Sequence, residues 1–449
     1  MESKGNDKER TTGWLSQSVV KILLVFMVLF SAGLLFYGCR ETPDPAPDEA
    51  DGDKVGIFAA GDFENPETCA TCHVDIYNAW AGSLHAYAWT NDLFQVEYVM
   101  AHEDTDGLTD TFCAGCHTPI GVAVGQVPPY DGSKLDETSI RGVSCDYCHT
   151  VSAVVETKNA MTKKDPGNVK RGPRGDGSSP VHEVMFSEVH KSSELCGACH
   201  NVNHPINDLP LETTYTEWEA SPYAAEGITC QDCHMTPGPG VGKNPGKSAT
   251  TGKERDHVAT HFFVGGGVMM FRTIESEIHA LKAEERLRAA VELDVQADRS
   301  GNDLQIKVDV TNVGAGHMLP TGLTNIRKMW LEVTVEDEAG SIIYRSGHEL
   351  DGNHIDPNAV FFHTVFGDGQ GIKTDEVWAA EEVLFEQRIP PKETFTQVYD
   401  VKAEEGDYRI QARILYRSAP QYLADKLFGE KALIIPTVEA GSAVIEITK

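Results

Sequence analysis

The sequence predicts an α+β fold: a short-helix, loop-rich module followed by an antiparallel β-sandwich. Three observations carry that expectation. Ten of the eleven cysteines sit in five C-x-x-C-H motifs between Cys69 and His234. Beyond residue 285 the apolar residues change period from 3.6 to 2. Turn-forming clusters then separate the alternating runs. At 449 residues the chain suggests two or three domains, and 41% hydrophobic content suffices for a normal core.

The first element is an export signal. Residues 18–38, SVVKILLVFMVLFSAGLLFYG, are almost wholly apolar, with Lys4, Lys8, Arg10 and Lys21 at their start. A basic region followed by such a run directs export, and the run is about long enough to span a bilayer. The lone Cys39 ends it. Three readings stay open: Cys39 as the lipidated first residue of a lipoprotein, an uncleaved anchor, or ordinary cleavage that leaves a free thiol. All three export the chain, to the periplasm or cell surface. Residues 1–39 are therefore read as signal or anchor. The acidic, proline-rich residues 40–61 cannot bury a core and read as a tether.

Residues 62–267 hold the motifs: CATCH at 69–73, CAGCH at 113–117, CDYCH at 145–149, CGACH at 196–200 and CQDCH at 230–234. Two thiols three positions apart share one face of a helical turn. They can form thioethers to one haem, and the next residue is placed to ligate its iron. The expected cofactors are five covalently bound haem c groups. They are held by Cys69, Cys72, Cys113, Cys116, Cys145, Cys148, Cys196, Cys199, Cys230 and Cys233. His73, His117, His149, His200 and His234 are the proximal ligands. Disulfides need no histidine after every second cysteine, and paired zinc knuckles leave a fifth motif unexplained. So little chain per motif cannot wrap each haem separately, so the haems must pack against one another.

Seventeen histidines are present, and five follow motifs. The candidate distal ligands are His85 in WAGSLHAYAW, His261 in RDHVATHFFVGGG, His190, His182 and His317. His257 is the rival of His261, and His102 and His204 are further options. A histidine outside the motif region is more often a plain structural residue.

At this point a resemblance emerges. ETCATCHVDIYNAWAGSLHAYAW, GVSCDYCHTV, LCGACHN and TYTEWEASPYAAEGITCQDCHM resemble the multihaem cytochrome c-554 family, which is related to the hydroxylamine oxidoreductase haem core. The resemblance covers roughly residues 62–270. It implies short helices, little regular sheet, haems in stacked or perpendicular pairs, mostly bis-histidine iron and an electron-carrier role. Five motifs and a long C-terminal extension depart from that family.

Residues 268–285 read as a connecting helix and 286–449 as the sandwich. LQIKVDV (304–310), MWLEVTVE (329–336), YRIQARILY (408–416) and AVIEIT (443–448) alternate as half-buried strands. The loop TNVGAGHMLPTG (311–322) resembles a loop in the C-terminal β-domain found on many multihaem cytochromes. His317 in that loop either hydrogen-bonds locally or ligates a haem and so locks the two modules together.

The formal charge of -30 disfavours nucleic acid and anionic lipid surfaces. The leading functional expectation is electron relay through packed, mostly bis-histidine haems to redox partner proteins. The runner-up is an oxidoreductase acting on a small nitrogen or sulfur species at one open-site haem; the C-x-x-C-K motif of nitrite-reducing cytochromes is absent. A filament or other homo-oligomer in which copies share haem ligands is the third.

Overall fold

A computed structural model describes residues 57–429 and 433–448. The expected anchor, Cys39 and most of the tether lie outside these residues. Among the described residues no helix is long and apolar enough to cross a membrane.

The N-terminal module is a run of short helices with loops between them. Each motif takes up about one helical turn. The first starts in helix Pro66–Ala70, where Pro66 opens the helix and the Asn65 side chain accepts from Glu67 N. His73 N then bonds Cys69 O at 2.9 Å and carries the turn onward. The second, third and fifth sit in helices Asp110–His117, Cys145–Thr150 and Cys230–His234, and the fourth starts in helix Glu194–Gly197, with His200 N bonding Cys196 O just beyond it. Thr229 and Asp232 cap the last of these with a reciprocal box. Regular sheet is limited here to three two-stranded pairs.

Helix Val268–Thr273 and helix Glu277–Ala290 occupy the region expected to form one connecting helix. Glu275 between them has φ 57°, a left-handed conformation that stops the first helix. Val268, Phe271, Ala280, Ala283 and Leu287 join the sandwich core. These helices therefore pack on the β-domain as well as leading into it.

The strands of the sandwich are β1 (Val291–Ser300), β2 (Asp303–Asn312), β3 (Lys328–Asp337), β4 (Ile342–Ser346), β5 (Val360–Gly367), β6 (Lys373–Thr374), β7 (Glu382–Gln387), β8 (Thr394–Lys402), β9 (Tyr408–Arg417) and β10 (Val438–Ile447). One sheet runs β6-β5-β3-β9-β10, with β4 on β3 and β7 on β5; the other runs β8-β2-β1. Every pairing within them is antiparallel. The alternation read from the sequence is the observed inward face. Leu304, Ile306, Val308 and Val310 of β2 oppose Leu331, Val333, Val335, Ile410, Ala412 and Ile414 in one core. Central β3 is buried on both faces. Its Trp330 donates to Gly347 O, and the Arg417 guanidinium lies over the ring.

Lys328 at the start of β3 makes a testable charge. Its Nζ donates to Asn325 O at 2.8 Å and to His363 Nδ1 at 3.1 Å. Burial, then the nearby Lys373, pulls its pKa from 10.5 down to about 8. Between pH 8 and 10.5 an unfolded lysine keeps a proton that this folded one has lost. Stability should therefore rise with pH through that window, by up to roughly 3 kcal/mol. Thermal melts across the window should show a steeper rise for wild type than for Lys328→Met. Parallel pH profiles would show that the buried charge has no such effect.

Candidate functional site

All ten motif cysteines and all five motif histidines line one continuous cavity of about 2520 Å³. A single small-molecule site spans roughly 300–1,000 Å³, so this space suits several large cofactors. The ten thiols are free. They also approach one another across motifs: Cys145 neighbours Cys69, Cys116 neighbours Cys199, and Cys196 neighbours Cys230. These contacts tie the first motif to the third, the second to the fourth and the fourth to the fifth.

The motif histidines share a second feature. Nδ1 of His73 lies 2.6 Å from Ser248 O, His117 2.7 Å from Ala88 O, His149 2.5 Å from Arg171 O and His234 2.9 Å from Val264 O. A carbonyl only accepts, so Nδ1 carries the proton and the lone pair stays on Nε2. Burial pulls His117 and His234 down to about 4 and also lowers His149, so these rings stay neutral, as a metal ligand must be. His200 differs: its Nδ1 meets Glu212 Oε1 at 3.2 Å. Burial lowers its pKa, but the Glu212 carboxylate outweighs burial and raises it to about 9. A carboxylate acceptor also makes an imidazole a more basic ligand than a carbonyl acceptor does.

Four of the five motif histidine rings lie near a second imidazole. Ring centres are 6.3 Å apart for His73 and His182, 6.1 Å for His85 and His200, 5.6 Å for His149 and His190, and 6.3 Å for His234 and His317. His182 and His317 turn Nδ1 to the carbonyls of Glu183 and Met318. His190 is reversed: Nε2 meets Cys148 O at 2.9 Å, and its buried Nδ1 has no protein partner. That orphaned nitrogen, inside a cavity lined by thiols and imidazoles, fits a haem iron. Among the described residues no histidine ring stands in this relation to His117. Phe94 stacks on its imidazole instead, at 3.6 Å and 4°.

His261 also lines the cavity. Its Nδ1 lies 3.1 Å from Ala259 O, and its ring packs against Phe263, which in turn touches His85. None of its ring contacts is with a motif histidine. The remaining options have other work. His204 bonds Trp378 O through Nε2 and accepts two backbone N–H groups at Nδ1. His257 accepts from Asn244 N, and His102 pairs with Asp110 and stacks on Tyr130. Sequence reasoning did not single out Glu212, and it placed Phe94 only among nearby aromatics expected to pack as helix core or against haem edges. The five Nδ1 acceptors are mostly backbone carbonyls, which leave no side-chain signature.

The family described as cytochrome c554 and c-prime matches residues 68–150. The structure superposes on a penta-heme cytochrome c552 from Thermochromatium tepidum with a TM-score of 0.63 and 20% identity, covering 86% of this chain and 99% of that one. The chain is a multihaem c-type cytochrome. This cytochrome is also 23% identical over 189 residues to the cytochrome c nitrite reductase subunit NrfA of Nitratidesulfovibrio vulgaris, a stretch that is 38% of this chain and 34% of that protein. Haem c supplies one-electron iron chemistry whose potential follows its axial ligands. The cytochrome itself supplies the thiols that would hold the groups, imidazoles that could ligate them and one shared cavity.

Proposed function

We propose that this chain is an exported pentahaem cytochrome that relays electrons through closely packed haems, four of them bis-histidine. The observation that carries this reading is the set of four facing imidazole pairs. Two imidazoles bound on opposite sides of one metal ion, each at about 2 Å, have ring centres roughly 6 Å apart. The four observed separations cluster there. The pairs are His73 with His182, His200 with His85, His149 with His190, and His234 with His317. Coordinatively saturated iron binds no substrate and passes electrons on to redox partner proteins. The thiol contacts between motifs support edge-to-edge transfer. The apolar run at residues 18–38, with Cys39 and the tether, favours a membrane-tethered periplasmic or cell-surface location.

The His117 site favours a second reading at one haem. No facing imidazole is in place there, which supports an open coordination position and chemistry on a small nitrogen or sulfur species. The likeness to a nitrite reductase subunit is compatible with it, although no C-x-x-C-K motif is present. All four facing pairs form within one copy, so ligand sharing in a filament is needed at most at the His117 haem.

Electron paramagnetic resonance of the oxidised holoprotein tests both readings. Four low-spin ferric haems and one high-spin haem that shifts with cyanide are expected. Fewer than four low-spin haems would overturn the bis-histidine relay. Five low-spin haems would overturn the open site and leave the relay standing.

A further inference from the structure

We infer that Glu217 is a positioning residue that sets the loop carrying His317, and thereby the ligand opposite His234. The inference rests on the reading that His317 ligates that iron.

Glu217 lies in helix Thr214–Glu219 of the N-terminal module, yet its side chain is only 4% exposed. Its two oxygens do different things. Oε1 accepts from Thr213 Oγ1 and pairs with Arg388, whose side chain is 9% exposed. Oε2 accepts from Met318 N at 3.1 Å and Thr321 Oγ1 at 2.7 Å. The first oxygen is fixed by the module and by the stretch after β7. The second holds the residue next to His317 and the residue beyond Pro320.

Other contacts leave that carboxylate as the bridge at the centre. Asn312 Nδ2 holds His317 O at 2.9 Å, so the backbone of the histidine is pinned from the β2 side. Tyr223 Oη donates to Val313 O, and Thr214 and Thr321 share a hydroxyl contact of 2.8 Å. Glu217 alone among these side chains grips both sides of Pro320. A loop imidazole has free rotamers, and an axial ligand requires close placement. A carboxylate with two loop donors supplies that placement. The Arg388 ion pair offsets part of the cost of burying that carboxylate. The sequence distance explains why no motif announces it: Glu217 is 101 positions from Met318 and 171 from Arg388.

The test uses the full-length holoprotein and paramagnetic resonance of its ferric haems. His317→Ala should convert one low-spin haem to high-spin. Glu217→Ala should convert at least half of the same haem while the other three low-spin signals persist. Glu217→Gln keeps acceptor oxygen for the loop and should restore most of the low-spin signal; it also serves if Glu217→Ala does not fold. A purely structural role would lower thermal stability without a spin change at one haem. If His317→Ala changes the spectrum and neither Glu217 variant does, the positioning role is overturned and ligation by His317 stands. If His317→Ala leaves all spectra unchanged, the ligation reading falls, and this inference with it.

Discussion

Chain made without attached haem should lose ordered structure across residues 57–267 and keep the sandwich of residues 291–448. The two halves are built differently. The sandwich buries one large aliphatic core drawn from both sheets and from helices Val268–Thr273 and Glu277–Ala290. The motif-bearing half has small satellite clusters, such as Phe63, Ile120, Ala123, Tyr147 and Val151, set around a cavity of about 2520 Å³. Its longest helix, Asp92–Thr105, has 14 residues, and most have eight or fewer. Isolated helices shorter than about 12–15 residues are marginal in water. Such small clusters bury too little apolar surface to hold the walls of so large a cavity in place once no cofactor bridges them. Replacing the ten motif cysteines by serine should therefore give an all-or-none result on one side of residue 268. Limited proteolysis with mass spectrometry would read it: rapid cuts before Val268 and a resistant fragment after it. A protease-resistant, haem-free stretch from residue 57 to 267 would show that the polypeptide holds itself up.

The same contrast explains what was legible in the sequence. The sandwich obeys a local rule. Leu304, Ile306, Val308 and Val310 alternate because one face of β2 is buried, and period 2 survives in any sequence that forms such a strand. The C-x-x-C-H turns are equally local, since both thiols and the proximal imidazole come from one helical turn. The facing imidazoles are not local. His182 faces His73, His190 faces His149 and His85 faces His200 because of how loops cross the cavity. The glycines after His261 indicate a close backbone approach, and that ring does lie at the cavity, but composition cannot say which ring it faces. Glu212 illustrates the limit. It lies 12 positions after His200 in a segment without periodicity, and only the fold turns it onto Nδ1. His317 lies between these cases. Its loop was visible as an unusual glycine-rich turn, whereas the facing His234 became visible only with the structure.

Gly142→Ala should lower stability by about 3 kcal/mol or more, combining backbone strain with a buried clash. For a unit of this size that is roughly 5–10 °C in melting temperature. Gly142 has φ 64° and ψ -132°, a region that only glycine enters without strain. A Cβ there would come within 2.4 Å of His85 O and 3.0 Å of Ala88 N. These are backbone atoms, so no side chain can rotate away. His85 O also accepts from Val143 N at 2.9 Å, while Val143 O accepts from Trp80 Nε1. A methyl group at residue 142 must therefore displace either the His85 backbone or the approach to the Cys145 motif. On the proposed ligand assignment the first outcome moves His85 off the iron held by His200, so one haem should turn high-spin. Gly227→Ala separates the two causes. Gly227 has φ 75°, and a methyl added there would meet no atom within 4 Å, so it carries the strain without the clash. Melting curves and spin counts for both variants distinguish strain from clash. Equal losses in the two, with unchanged spin, would mean that the contact with His85 has no energetic consequence.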